Sequence, residues 1–330
     1  MKTILSILLP AVMLAACGDD APTASEPAPH HTIIYTRHNY GVGHLEIVRS
    51  LSDGSNRTVL LQGAILLAKP VAGRILYIST DSLDLYTANI DGSNPVKLRS
   101  AGYTTRFENA SISPDGEHFA TAEWYDGRIE LVIQKMDGSE RRVIATDLHP
   151  DTQINFSPDG RKLAFFALDK RVCTIAIDGT GRADITGVPA PSQRDGLMNS
   201  WSPEWSPSGE WLAVESAASE MIDVIRADGG SPASLPSFRG TFPLWSPDGK
   251  EISCTDNGWI VVHPIDGSSR GILNQSFSDL YDSFPWSPDG RRLLDQGNGM
   301  RTNSSLQCVD IARREVILVD ADVLNAYWIP

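Results

Sequence analysis

The histidines and the acidic residues of this chain are the side chains whose types could support metal or acid–base chemistry. The histidines are His30, His31, His38, His44, His118, His149 and His263. They are scattered and include no His-x-His pair of the kind that binds a metal from one strand. The pairs Asp19-Asp20 and Asp320/Asp322 are interpreted as solvated charges. The Gly-x-Ser-x-Gly elbow of serine hydrolases is not expected in this chain. We therefore expect no catalytic residue, no metal ligand, no cofactor and no enzymatic activity.

A repeated tetrapeptide indicates the scaffold that must position any functional side chain. Its five copies are Ser113-Pro114-Asp115-Gly116, Ser157-Pro158-Asp159-Gly160, Ser206-Pro207-Ser208-Gly209, Ser246-Pro247-Asp248-Gly249 and Ser287-Pro288-Asp289-Gly290. Successive prolines are 44, 49, 40 and 41 residues apart. Proline presets φ for a type I turn, Asp accepts local hydrogen bonds, and Gly adopts the positive φ that follows. A period in the forties with strand-like sequence between turns predicts an all-β fold, a β-propeller of four-stranded blades.

A second turn recurs inside each repeat. It appears as Asp137-Gly138, Asp178-Gly179, Asp228-Gly229 and Asp266-Gly267. Asp-Gly pairs between apolar runs indicate hairpins, so each repeat is predicted to contain four antiparallel strands.

The number of blades follows from weaker copies at the two ends of the repeat region. Residues 69–74 form a worn copy of the tetrapeptide turn, and residues 32–60 contain three strands of a unit that lacks its first strand. The run Tyr327-Trp328-Ile329 matches the start of a repeat. We predict seven blades, closed by pairing of this C-terminal strand with the strand around Ile33-Ile34-Tyr35, because closure removes both sheet edges. Six blades is the alternative.

The N-terminal segment is predicted to be a targeting signal. Residues 1–16 are interpreted as a signal peptide, because the apolar run is too short for a membrane-spanning helix. Leu14-Ala15-Ala16-Cys17 resembles the bacterial lipoprotein box, so Cys17 is the expected lipidation site. Residues 17–31 are expected to form a flexible tether and residues 32–330 a single propeller domain. The expected location is the periplasmic side of the bacterial envelope, with the outer membrane favoured because no aspartate directly follows Cys17.

The charge of the chain restricts its partners. Lys and Arg total 28 against 41 Asp and Glu, which gives a net charge of −13. A nucleic-acid partner would require a basic face and is not expected. The chain is predicted to be a monomer whose partner is an envelope protein or a cell-wall component.

The repeats resemble the WD-like propeller of the TolB family, most clearly in Pro203-Glu204-Trp205-Ser206-Pro207 and Phe284-Pro285-Trp286-Ser287-Pro288. The resemblance extends from Ile33 to Pro330 and implies a periplasmic propeller that binds other proteins. The chain is interpreted as a lipoprotein form without the α/β domain that precedes the propeller in TolB. Related propellers include oligogalacturonate lyases, so a metal-dependent polysaccharide lyase, or another carbohydrate-active propeller, is the alternative function.

The binding site is predicted on the face that carries the irregular connections, because loops of that kind usually carry recognition. The candidate residues are Arg37, Tyr40, Tyr103, Arg106, Trp124, Tyr125, Trp201 and Tyr281, which are expected near the mouth of the axis. Aromatic and Arg side chains are typical of protein-binding surfaces. The remaining cysteines, Cys173, Cys254 and Cys308, are predicted to be buried thiols, with a Cys254–Cys308 disulfide left open.

Overall fold

The computed structural model describes residues 30–41, 43–100, 106–150, 152–185, 202–216, 221–230, 235, 237–268, 271–275, 285–296 and 305–329. These residues contain no helix and form strands in seven antiparallel sheets. None of them forms a helix that is long and apolar enough to cross a membrane. The chain is a seven-bladed β-propeller, which confirms the predicted fold class and blade number.

Most of the strands are short, as expected for propeller blades. The first fifteen are β1 (Thr32–Asn39), β2 (His44–Leu51), β3 (Thr58–Gln62), β4 (Ala64–Leu66), β5 (Arg74–Ser79), β6 (Leu85–Asn89), β7 (Val96–Arg99), β8 (Arg106–Ile112), β9 (His118–Tyr125), β10 (Arg128–Lys135), β11 (Arg142–Ala145), β12 (Asn155–Phe156), β13 (Lys162–Phe166), β14 (Val172–Ala176) and β15 (Ala183–Ile185). The others are β16 (Glu204–Trp205), β17 (Trp211–Ser216), β18 (Met221–Arg226), β19 (Phe238–Arg239), β20 (Thr241–Trp245), β21 (Glu251–Asp256), β22 (Trp259–Pro264), β23 (Gly271–Gln275), β24 (Arg292–Gln296), β25 (Ser305–Asp310), β26 (Glu315–Ala321) and β27 (Val323–Trp328).

The blades follow the chain, with one exception at the closure. Blade 1 has the order β27-β1-β2-β3, and blades 2 to 6 consist of β4–β7, β8–β11, β12–β15, β16–β19 and β20–β23. In the described residues, blade 7 consists of β24, β25 and β26, and Trp286 forms a single bridge to Leu293 of β24.

The closure of the ring is the one predicted. Ile33 pairs with Trp328, Ile34 with Tyr327 and Tyr35 with Ala326, all in antiparallel register. Trp328 is 2% exposed and packs in the apolar cluster between blades 7 and 1. The first strand of blade 1 therefore comes from the C-terminal end of the repeat region and its other three strands from the N-terminal end.

The repeated tetrapeptide forms a turn that is held mainly by its own side chains. In the first copy, the Ser113 hydroxyl donates to Asp115 Oδ1 at 2.5 Å, and the Glu117 N–H donates to the same oxygen at 2.9 Å. Gly116 has φ of 72°, a conformation that glycine adopts without strain. The hydroxyl and N–H donors favour the charged carboxylate and hold the pKa of Asp115 below its usual range.

The same turns also connect neighbouring blades. A side chain on Gly160 would meet the Pro114 ring at 3.4 Å, and one on Gly249 would meet Pro207 at 3.5 Å. The proline of one blade thus packs against the glycine of the next. Substituting either glycine would strain its positive φ and crowd this contact.

Tryptophans reinforce four of the seven junctions. Each indole N–H donates to a backbone carbonyl of the preceding blade at 2.8–3.1 Å. The pairs are Trp205 to Asn155, Trp245 to Glu204, Trp286 to Leu244 and Trp328 to Pro285. These indole rings therefore pack at the junctions and also donate a hydrogen bond to the preceding blade.

The hydrophobic core is a ring of seven clusters, one at each junction between blades. In β13, Leu163 and Phe165 face blade 3, whereas Ala164 and Phe166 face blade 5. Each sheet is covered on both faces, so its middle strands are apolar without alternation. The thiols of Cys173, Cys254 and Cys308 are buried and form no disulfide, so the Cys254–Cys308 bridge that the sequence left open is not made.

Candidate functional site

The two faces of the propeller differ in the connections that they carry. The tetrapeptide turns join the first and second strands of a blade, and the Asp-Gly turns join the third and fourth. Because the strands are antiparallel, both sets lie on one face, which we call the turn face. The turns between the second and third strands, and the connections between blades, lie on the opposite face, which we call the loop face.

Exposed apolar side chains of the described residues fall into two groups. One group lies on the outermost strands and comprises Val59, Val96, Val143, Val316 and Leu318. The other lies at the second-to-third-strand turns of the loop face and comprises Tyr40, Leu83, Trp124, Tyr125, Leu168 and Trp259. We call these six the apolar tips. They are 39–63% exposed and come from blades 1, 2, 3, 4 and 6.

Tight hairpins present the aromatic tips of blades 3 and 6. Asp126 and Gly127 have φ of 48° and 80°, and Asn257 and Gly258 have φ of 50° and 76°. Positive φ at both central residues is the requirement of a type I′ hairpin turn. A two-residue turn is the shortest connection between the two strands. The neighbouring aromatic side chains therefore project from a rigid backbone.

Charged side chains brace the loop-face ends of the strands behind the tips. Arg37 Nη2 lies 3.1 Å from Glu46 Oε2, and Arg37 Nη1 lies 3.4 Å from Asp320 Oδ2. Arg239 Nε of blade 5 lies 3.1 Å from the buried carboxylate of Asp256 in blade 6. In blade 3, Glu123 is 1% exposed and pairs with two arginines. The apolar tips therefore lie above charged side chains, most of which form ion pairs.

The structure places four of the predicted binding side chains. Tyr40, Trp124 and Tyr125 are apolar tips, and the Tyr40 ring lies 4.1 Å from that of His38. Arg37 lies inside β1 and is held by two carboxylates. Arg106 begins β8, with only its backbone described. Tyr103, Trp201 and Tyr281 lie outside the described residues. None of the four described side chains lines the central channel, so they surround the loop face at a distance from the axis.

Three tips were not recognised in the sequence: Leu83, Leu168 and Trp259. The Asn257-Gly258 hairpin signal could have identified Trp259, because the residue after a type I′ turn lies at the strand end. Leu83 and Leu168 carry no such signal. In the sequence, a leucine between two strand-like runs is as consistent with a buried core position as with an exposed turn.

The central channel is a concave feature of the described part of the molecule. It has a volume of about 780 Å³ and is lined by residues from all seven blades. Prolines of the tetrapeptide turns and residues of the innermost strands make most of its wall. Lys69, Glu204 and Tyr327 place polar groups on that wall.

Two sequence patterns with chemical associations lie elsewhere. Among the described residues, the single group of acidic and histidine side chains close enough to share a metal is Asp115, Glu117 and His118, on the turn face. Asp115 there already accepts the hydrogen bonds of its turn. The run Gly267-Ser268-Ser269-Arg270-Gly271 matches Gly-x-Ser-x-Gly, so the expectation that this motif is absent was wrong. It joins two strands, β22 and β23, and not a strand and a helix.

Comparison with known proteins supports the fold more strongly than any function. No protein-family profile matches the chain. An uncharacterized protein of Agrobacterium fabrum is 24% identical over 239 residues, which is 66% of this chain and 79% of that protein. TolB from Acinetobacter baumannii is similar in structure with a TM-score of 0.57 and 15% identity, over 90% of this chain and 66% of TolB.

Enzymes share the same architecture. An oligogalacturonate lyase in complex with manganese has a TM-score of 0.60 at 12% identity, over 80% of this chain and 87% of the lyase. A periplasmic gluconolactonase of Pseudomonas aeruginosa has a TM-score of 0.64 at 12% identity, over 92% of this chain and 99% of that enzyme. The chain thus has a TolB-like propeller fold, and that fold supports both non-enzymatic proteins and enzymes.

Proposed function

We propose that this chain is a bacterial envelope protein that binds a protein partner through its loop face. The observation that carries the proposal is the distribution of the apolar tips. Among the described residues, all six large apolar side chains that are exposed away from the outermost strands lie on this one face. Aromatic residues that project from rigid turns lose little entropy on binding and bury large areas, which is typical of binding hot spots.

The chemistry of the face favours a protein over a polysaccharide. Leu83 and Leu168 stand beside the aromatic tips, and aliphatic side chains gain free energy only from apolar groups of a partner. Several neighbouring charges are already paired within a blade or between adjacent blades. A partner with an apolar centre and a polar rim would complement this arrangement.

Substitution of the tips tests the proposal. Trp124→Ala and Trp259→Ala are expected to weaken the partner complex by roughly 30-fold each, because truncating a buried aromatic anchor costs about 2 kcal/mol. The full chain would be cross-linked in cell envelopes, the partner identified by mass spectrometry, and its affinity measured with purified proteins.

Two controls separate the loop face from other surfaces. Val143→Ser removes an equally exposed apolar side chain from an outermost strand, and Asp248→Ala alters the turn face. Both variants should bind the partner as the wild type does, although the second should lower the melting temperature. Full affinity in the tip variants, or loss of affinity in Val143→Ser, would show that another surface binds. Release of unsaturated sugars from polygalacturonate by the purified protein would favour the lyase alternative instead.

The attachment to the membrane is proposed from the lipoprotein box alone. Cys17→Ser should remove the lipid and move the protein from the membrane fraction to the soluble periplasmic fraction. Fractionation with palmitate labelling measures this change. Labelling that survives the substitution would contradict the assignment of Cys17.

A further inference from the structure

The central channel has the size of a small-molecule site. Its volume of about 780 Å³ lies within the range of roughly 300–1,000 Å³ that is usual for ligand sites. Much of the wall is apolar and includes Phe242, Pro243 and Trp245. Phe242 and Pro243 lie at an irregularity in β20, where the pairing with β21 shifts between Thr241 and Leu244. The channel is thus a largely apolar cavity in which a few polar groups would determine ligand specificity.

Lys69 is a cation that the repeat does not require. It occupies the position at which the other tetrapeptide turns have a serine, and those serines are buried in their turns. The Lys69 side chain instead reaches the solvent of the channel and has no hydrogen-bond or ion-pair partner among the described residues. Because protein surrounds the channel, burial lowers the pKa of Lys69, and the charge of Glu204 opposes that shift.

Glu204 is an anion whose carboxylate is only partly satisfied. Its Oε1 accepts a hydrogen bond from Asn155 Nδ2 at 3.0 Å and another from the Ser202 hydroxyl. Its Oε2 has no hydrogen bond among the described residues. Burial raises the pKa of Glu204, and Ser202, Lys69 and Asn155 oppose that shift. Oε1 is therefore held in place, whereas no described residue donates to Oε2.

The two charges face one channel without forming a direct ion pair. Lys69 belongs to blade 2 and Glu204 to blade 5, and their interaction is through space. The Tyr327 hydroxyl also lines the channel, and burial raises its pKa to about 12, so it remains a neutral donor. An anion alone would leave Glu204 unsatisfied, and a cation alone would leave Lys69 unsatisfied. A molecule that carries both charges can satisfy both.

We propose that the channel binds a small zwitterion, a free amino acid or a short peptide, with its carboxylate on Lys69 and its ammonium on Glu204. The apolar wall favours a ligand with an aliphatic or aromatic side chain over an inorganic ion pair. Asn155 and Ser202 position the carboxylate of Glu204 for the ammonium. This site is lined by none of the apolar tips.

Calorimetric titration of the purified chain with three probes, L-leucine, Leu-Ala and Leu-Ala-Ala, tests the proposal and distinguishes an amino acid from a peptide. Saturable binding of at least one probe is expected. Acetyl-Leu-Ala and Leu-Ala-amide, which each lack one terminal charge, should bind at least about tenfold more weakly than Leu-Ala if the peptide binds, because each leaves one charge of the channel wall without its counter-charge. If only leucine binds, acetyl-leucine and leucinamide provide the same comparison.

Two substitutions and one control complete the test. Lys69→Met and Glu204→Gln should each weaken binding at least about tenfold, and glutamine retains the oxygen that accepts from Asn155 and Ser202. Lys250→Met, on the exposed turn face, should bind as the wild type does. Melting curves establish that each variant is folded. Absence of saturable heat with all three probes at about 10 mM, equal affinity for capped and free probes, or unchanged affinity in Lys69→Met would overturn the proposal.

Discussion

Replacing Trp328 by alanine is expected to lower the free energy of unfolding by about 3–5 kcal/mol. Trp328 is 2% exposed, and its removal would leave a cavity between blades 7 and 1. The substitution also removes the indole N–H that donates to the Pro285 carbonyl at 2.8 Å. Because β27 is the strand that completes blade 1, the substitution destabilises the junction that closes the ring.

The measurement is urea unfolding followed by circular dichroism. Trp328→Phe keeps most of the ring volume and loses the hydrogen bond, so it should cost only about 1–2 kcal/mol. Trp211→Ala is the matched control, since Trp211 is partly buried at the start of β17, where the Arg226 guanidinium lies over its ring. A loss below about 1 kcal/mol in Trp328→Ala would mean that the closing strand contributes little to stability.

Replacing Glu123 by glutamine is expected to cost about 2–3 kcal/mol. Glu123 Oε2 lies 2.9 Å from both Arg99 Nη1 and Arg141 Nη2, and the Thr121 hydroxyl donates to Oε1 at 3.0 Å. Burial already lowers the pKa of Arg99, and Glu123 opposes that effect. Without the carboxylate, two guanidinium groups would face each other with their main counter-charge removed.

The neighbouring Glu130 provides a control at nearly the same burial. Glu130 lies directly opposite Glu123 in the β9–β10 pairing, and it pairs with Arg128, which is largely exposed. Glu130→Gln would weaken one exposed pair and relieve repulsion between two carboxylates, so it should cost less than about 1 kcal/mol. Thermal and urea unfolding of both variants would measure the difference. Equal losses would show that burial of the carboxylate, and not its two arginines, determines the cost.

The scaffold could be predicted because each repeat is stabilised locally. The hydroxyl of Ser113, the carboxylate of Asp115 and the N–H of Glu117 interact within five consecutive residues. Such a turn has nearly the same sequence in each blade, so the repeat can be recognised from this one sequence. The period of the turns then predicted the four-stranded blade, and the incomplete units at the two ends predicted the pairing of Ile33 with Trp328.

The candidate sites were only partly predictable. Tyr40, Trp124 and Tyr125 were recognised as aromatic residues in irregular connections, whereas Leu168 looks like a core residue in the sequence. Arg37 was predicted on the binding face, and the structure places it in β1, where Glu46 and Asp320 hold its guanidinium. The sequence does not show those partners, since Asp320 belongs to the opposite end of the repeat region.

The sequence by itself determined the turns, the strands, the blade type and the manner of closure, because these depend on neighbouring residues and on a period. Only the tertiary structure decided which side chains face the channel and which apolar residues remain exposed. Lys69 lies in the degenerate copy of the tetrapeptide turn, and Glu204 lies in an inner strand. Closure of the ring places both on the wall of one cavity. Exposure and proximity of that kind arise from packing between distant segments, which no local pattern encodes.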